Sequence, residues 1–152
     1  MSSRFIITLF LCAIATLSGC DGGTSSSTDV DASKTEVIAL KELGEMYALL
    51  VKQTQKPPEA GKELMKFAEG FSHGSMAIQN KTVGVYWGAP IEKTGEAVLA
   101  YEAKAPEAGG LVLLSDGETV KPMTAEEFQA APKAHGKLEE PGKPNAKKGK
   151  AR

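Results

Sequence analysis

Leu111-Val112-Leu113-Leu114-Ser115-Asp116-Gly117-Glu118-Thr119-Val120-Lys121 is the stretch that decides the fold class. An apolar run with large residues on both faces reads as a central strand. The Asp-Gly pair after it is a strong short-range hairpin signal, because glycine adopts the positive φ that a tight turn needs. The chain then returns through residues 118–121 as the next strand. Upstream, Ala97 to Glu102 reads as a strand, and Val83-Gly84-Val85-Tyr86-Trp87 places Val83, Val85 and Trp87 on one face. Met76-Ala77-Ile78 reads as a further short strand, with a turn at Asn80-Lys81. Pro106 to Gly110 reads as a loop. Downstream, Thr124 and Glu127 have the spacing of a capping box, and Met123 and Phe128 that of a hydrophobic staple. A short helix over 125–130 follows.

Before the sheet the period is helical. Leu40, Leu43, Met46, Tyr47, Leu50 and Val51 recur at steps of three and four, and Ser33 with Glu36 forms a capping box. The spacing predicts a helix over 34–54, stopped by Pro57-Pro58. A second, shorter helix is expected over 58–69, with Leu64, Phe67, Ala68 and Phe71 as its stripe. Helices followed by strands predict an α+β domain over residues 33–131. Its long N-terminal helix packs on a small antiparallel sheet of three to four strands, closed by the short C-terminal helix. Residues 132–152 hold almost nothing apolar and are predicted to be a disordered basic tail.

The first residues carry an address. Met1-Ser2-Ser3-Arg4 is positively charged, and Phe5 to Leu17 is an uncharged run, apolar but for Thr8 and Thr16. That is a signal-peptide pattern, and the run is shorter than the roughly 20 residues a helix needs to span a bilayer. Leu17-Ser18-Gly19-Cys20 ends it. The four residues resemble the bacterial lipobox, in which the cysteine thiol receives diacylglycerol and a peptidase cuts just before it. The resemblance implies that residues 1–19 are removed and that Cys20 is lipidated. Two or more acyl chains hold a protein stably on a membrane. Residues 20–32, rich in Gly and Ser, are then a flexible tether. The location implied is the bacterial cell envelope, on the extracytoplasmic face. Asp21 leans towards retention at the inner membrane.

Composition excludes several chemistries. With Cys12 in the signal and Cys20 lipidated, the folded part keeps no thiol, so disulfides and a cysteine nucleophile are out. Two histidines, His73 and His135, do not suffice for a His/Cys zinc site. No phosphate-cradling glycine loop is present, and no metal or cofactor is expected. The net charge of −1 conceals an asymmetry: residues 133–152 hold seven Lys/Arg against two Glu. This basic segment suits anionic lipid or anionic wall polymers. It lacks the interleaved aromatics of a single-strand nucleic-acid binder, and no nucleic-acid partner is expected.

The block Tyr86-Trp87-Gly88, Val98 to Glu102, Gly109 to Gly117, Val120 and Met123 to Phe128 resembles the C-terminal sheet of planctomycete pilin-like and type II pseudopilin-like proteins. That resemblance implies a strand, an Asp-Gly turn, a strand and a closing Glu-Glu-Phe helix, and carries no catalytic residue with it. The chain departs from pilins in having a lipobox and an amphipathic helix, which argues against pilin-type polymerisation.

The candidate site residues are few. Asp116 is an exposed acid or, more simply, a turn residue. His73 near serines suggests a hydrolase, yet no G-x-S-x-G elbow accompanies it and it reads as a loop histidine. Glu102 and Glu107 are a carboxylate pair with no fixed separation. Tyr86, Trp87 and Tyr101, on predicted adjacent strands, are the candidate aromatic platform for a sugar or peptide, competing with burial of Trp87 in the core. The expectation is a lipid-anchored, non-catalytic interaction or structural protein with envelope protein partners. The alternatives are an anchored ligand-binding module and, behind it, a small hydrolase.

Overall fold

A computed structural model describes residues 35–142. The signal segment, Cys20 and its tether, Ser33 and residues 143–152 lie outside the described residues. Helix α1 (Thr35–Thr54) leads, followed by single 3-10 turns at Gly61–Glu63 and Met65–Phe67, then α2 (Ser72–Gln79). Strands β1 (Val83–Trp87) and β2 (Val98–Glu102) come next, then one helical turn, α3 (Ala105–Ala108). Strands β3 (Gly110–Leu114) and β4 (Val120–Met123), helix α4 (Ala125–Ala130) and β5 (Lys137–Glu139) complete the domain. The fold is α+β, as the sequence predicts, with five antiparallel strands in the order β4-β3-β2-β1-β5.

The periodicity of α1 is realised closely. Leu40, Leu43, Met46, Tyr47 and Leu50 are all buried against the sheet. Two other parts of the chain press closely on this helix. Gly44 lies so near the β3–β4 turn that a Cβ there would stand 2.1 Å from the Gly117 carbonyl oxygen. Gly74 of α2 plays the same part on the other flank, where a Cβ would fall 2.9 Å from the Leu43 backbone nitrogen. Two glycines thus let three elements approach closely, as tight packing requires.

The sheet is buried on both faces. Val83, Val85, Trp87, Leu111 and Leu113 face α1, while Tyr101, Val112, Leu114, Met123 and Phe128 form a second core on the other side. A β-bulge sits between Val98 and Ala100 in β2. It turns both Leu99 and Ala100 to the α1 side while Val98 and Tyr101 stay on the far side.

The hairpin at Asp116-Gly117 exists, with Gly117 at φ 76. Its connection is longer than a two-residue turn: the Leu114 N–H donates to the Thr119 carbonyl, so β4 begins at Val120. Asp116 closes the loop by accepting the N–H groups of Glu118 and Thr119, each at 2.9 Å, and the Thr119 hydroxyl at 2.6 Å. Partial burial raises the Asp116 pKa, but these bonds outweigh it and hold the carboxyl below its ordinary value. The C-terminal capping box is present as expected. Thr124 Oγ1 accepts the Glu127 N–H at 3.1 Å, and Glu127 Oε2 accepts the Thr124 N–H at 2.8 Å.

Four expectations need correction. Residues 106–108 belong to the helical turn α3, with Pro106 in its first turn, and Gly110 opens β3, so the stretch Pro106 to Gly110 is not a loop. The segment 58–69 is not an α-helix but two 3-10 turns, because Gly61 is pressed against Ile78 and Trp87 and Pro58 is tied to the Gly88 N–H. Residues 72–79 are helical rather than a loop and a strand. Their own N-cap, Phe71, offers no side-chain cap, and the missing acceptor arrives from α1, where Glu42 Oε2 accepts the Gly74 N–H at 2.8 Å. Residues 132–142 are ordered, against the predicted disorder from 132 onward. Val98 exchanges hydrogen bonds with Pro132 and Ala134, and β5 then pairs with β1, Lys137 opposite Trp87 and Glu139 opposite Val85. Backbone pairing orders this segment, and hydropathy does not register backbone pairing.

Two outcomes are expected. Gly44→Ala should destabilise by about 1–3 kcal/mol through overpacking, although alanine is the better helix former; urea denaturation giving equal or higher stability would contradict this packing. A chain ending at Ala131 should lose stability and show red-shifted Trp87 emission, whereas a disordered tail would leave both unchanged.

Candidate functional site

The residues singled out from sequence are distributed over both sides of the sheet. Trp87 is 4 % exposed and faces α1. Its ring lies parallel to that of Tyr47, with centroids 6.2 Å apart, and its Nε1–H donates to Glu139 Oε2 at 2.7 Å. Tyr86 and Tyr101 turn to the other side, their ring centroids 6.2 Å apart, and Tyr101 packs on Phe128 at 4.8 Å. Strand alternation separates Trp87 from the tyrosines, so the three do not share one surface. Burial pushes both tyrosine hydroxyls above their ordinary pKa; at Tyr101 the neighbouring Tyr86 and Glu140 push the same way. Tyr101 is buried and Tyr86 half-buried.

Glu102 and Glu107 do not form a pair of like groups. Glu102 is 7 % exposed, accepts the Leu111 N–H at 2.7 Å and lies 3.4 Å from Lys104 Nζ. A buried carboxylate is tolerated when it is bonded and paired in this way. Glu107 is exposed on α3. Asp116 is occupied in its turn.

A cleft of about 420 Å³ opens between the start of α1, α2 and the ends of β1 and β2. Ala39, Ala77 and Val83 supply apolar lining, and His73, Asn80, Thr82, Glu102 and Lys104 supply polar groups. Met76, 50 % exposed, stands at its edge. Such a mix of apolar lining and few polar groups is the usual make-up of a binding cleft. Sequence reasoning named His73 and Glu102 separately and did not join them. It missed Met76, Asn80, Thr82 and Lys104. His73 and Met76 stand three residues apart and share a helical face, but only once α2 is seen as a helix.

His73 has a fixed neighbour after all. Its Nδ1 lies 3.2 Å from Glu42 Oε1, which leaves Nε2 as the ring nitrogen free of Glu42. The carboxylate thereby spans the α1–α2 contact, with one oxygen on the His73 ring and the other on the Gly74 N–H. Among the described residues the hydroxyls that line the cleft with this histidine are those of Thr35 and Thr82. Ser75 Oγ is turned to the Ser72 carbonyl instead. Among the described residues no group of three or more His, Cys, Asp and Glu is gathered in metal-binding geometry. No helix among them is long and apolar enough to cross a membrane.

The chain matches no family model, no curated protein and no solved structure.

Glu42 is a structural anion before it is anything else, because it supplies the N-terminal acceptor that α2 lacks. Glu42→Ala should cost about 1–3 kcal/mol by stranding the Gly74 N–H, while His73→Ala should cost less than about 0.5 kcal/mol. Urea denaturation of both variants reads the difference, and equal losses would place the weight on the histidine instead.

Proposed function

We propose that this chain is a lipid-anchored, non-catalytic interaction protein of the bacterial cell envelope, and that its cleft meets a partner held at the same membrane. The observation that carries the anchor is Leu17-Ser18-Gly19-Cys20 standing directly after the apolar run from Phe5 to Leu17. A Gly/Ser-rich stretch then separates Cys20 from the first turn of α1, the arrangement a tethered domain needs. The partner-binding reading is supported by the cleft itself: apolar lining, a polar edge and a half-exposed methionine, a side chain that adapts to irregular surfaces. The likeness of the Val83 to Phe128 block to pilin-like domains belongs to this proposal as a statement about fold. It is supported by the order of long helix, antiparallel strands and Glu-Glu-Phe helix, and departs from it in the strand β5 that follows that helix.

A second reading, an anchored module for a small ligand, is favoured by the His73–Glu42 pair. An oriented imidazole at an apolar cleft can accept or donate one directed hydrogen bond to a bound molecule.

Cys20→Ser should abolish membrane fractionation and leave the precursor uncleaved; sedimentation with membranes after a salt wash would contradict the anchor. Met76→Glu should remove a defined set of crosslinked envelope proteins while Trp87 emission stays unchanged. An unaltered crosslink pattern in that variant would move the partner surface away from the cleft.

A further inference from the structure

The sheet has two edge strands, β4 and β5, and their open sides differ. Backbone groups along a strand point alternately to its two sides. At the β4 edge the Leu114 N–H donates to the Thr119 carbonyl, and the register continues this alternation, with Lys121 and Met123 bonding towards β3. Val120 and Pro122 therefore point outwards, and Pro122 has no N–H to offer a further strand. At the other edge the Ala103 N–H donates to the Thr82 carbonyl, so Thr82 and Gly84 bond towards β2 while Val83, Val85 and Trp87 turn towards β5. Val85 faces Glu139, and Trp87 faces Lys137. Lys137 and Glu139 thus use their backbone groups on β1, and the N–H and C=O of Leu138 face outwards. No turn or loop of the described residues bonds to them.

The side chains of this edge carry a pattern of their own. Leu138 is 37 % exposed and lies opposite the half-buried Tyr86 on the far side of the sheet. Lys137 and Glu139 flank it on the α1 side, the side of Val85 and Trp87. An unpaired strand edge is a template for another strand. Here the charges select which strand. Antiparallel pairing of Lys137-Leu138-Glu139 with a second copy of itself sets Leu138 against Leu138, and the two residues exchange both N–H to C=O bonds. Each Lys137 then falls opposite Glu139 of the second copy, in pairs of the kind that bring side chains closest. A parallel copy in register would set lysine against lysine and glutamate against glutamate. Glu139 is already oriented for the contact, because its Oε2 accepts the Trp87 Nε1–H at 2.7 Å while its side chain stays 44 % exposed. A carboxylate has acceptor capacity left for a further cation.

We propose that β5 is a self-complementary edge through which two copies of this chain pair about a two-fold axis at Leu138, joining their two five-stranded sheets into one. Two-fold contacts that use the same patch on both copies are the commonest route to association of a soluble chain. The proposal goes beyond the cleft reading and does not depend on it. No residue of β5 lines the cleft, so that surface takes no part in the pairing. Opposite charges directly across a ladder stabilise it and like charges weaken it, so Lys137 and Glu139 both favour this register and disfavour the parallel one. The ladder is short and the pair is weak in dilute solution. Copies held at one surface form it more readily, because their effective concentration is higher.

The test mixes the full chain in equal parts with the same chain carrying heavy nitrogen. A carbodiimide then joins lysines to carboxylates in direct contact, and mass spectrometry reads the linked peptides. Lys81 and Glu139, 3.6 Å apart within one chain, are the internal standard and should give links of one isotope only. Lys137 and Glu139 should give links of mixed isotope. Leu138→Lys keeps the outward N–H but sets like charges opposite one another, and should lower the mixed links about tenfold. Leu138→Pro removes that N–H and should abolish them. The Lys81–Glu139 link should persist in both variants, since the bonds of β5 to β1 are untouched. Lys137–Glu139 links of one isotope alone would overturn the proposal, and so would mixed links that survive Leu138→Lys unchanged. Mixed links from Lys137 to acids other than Glu139 would overturn the two-fold register. Links from Lys137 to a different protein in native membranes, with none between copies, would assign this edge to another chain's strand and overturn self-pairing.

Discussion

Trp87 is where the layers of this domain are joined. Its ring lies against Tyr47 of α1, its edge donates to Glu139 of β5, and the Gly61 turn closes over it with no room for a Cβ beyond Ile78. A stacked aromatic pair adds about 0.5–1.5 kcal/mol beyond area burial, and a hydrogen bond to a charged acceptor about 1.5–3 kcal/mol. More important is that these contacts come from segments far apart in the chain. Tyr47 adds a further link, donating its hydroxyl to the Ala89 carbonyl at 2.7 Å just past the end of β1. Burial drives the Tyr47 hydroxyl well above its ordinary pKa, although backbone bonds around Ala89 and Gly88 offset part of this, so it remains a neutral donor.

The same packing decides where a site can form. Because the sheet carries a core on each face, its aromatic residues are largely consumed in holding helices and loops. Even Lys133 is drawn in: it donates to the Phe128 and Ala131 carbonyls with its ammonium 4.4 Å above the Phe128 ring, and burial lowers its pKa. The open concave surface lies instead at the end of the helix layer, where α2 is short and its Gly74 nestles against α1.

How legible this was depended on whether a residue's partner was near it in sequence. The α4 cap was readable because Thr124 and Glu127 are three residues apart and satisfy one another. The Asp116-Gly117 hairpin was readable because Asp116 bonds within its own turn. Helix α2 was not, since Ser72-His73-Gly74-Ser75 is a poor helix start and its acceptor, Glu42, sits on another helix. Strand β5 was not, because its order comes from pairing with β1 and from the Trp87–Glu139 bond, while its composition is that of a solvated tail.

The sequence by itself therefore determined the α+β class, the long amphipathic helix, four of the five strands and the capped helix α4, though not that a strand follows it. Periodicity and local hydrogen bonding are properties of neighbouring residues. Only the tertiary structure decided that Trp87 and Tyr101 face opposite sides, that His73 and Glu102 line one cleft, and that residues 137–139 return along β1. Those facts follow from strand alternation, from a bulge at Leu99, and from a C-terminal strand that doubles back. Each depends on which element lies beside which, and contacts between elements distant along the chain leave no mark on local composition.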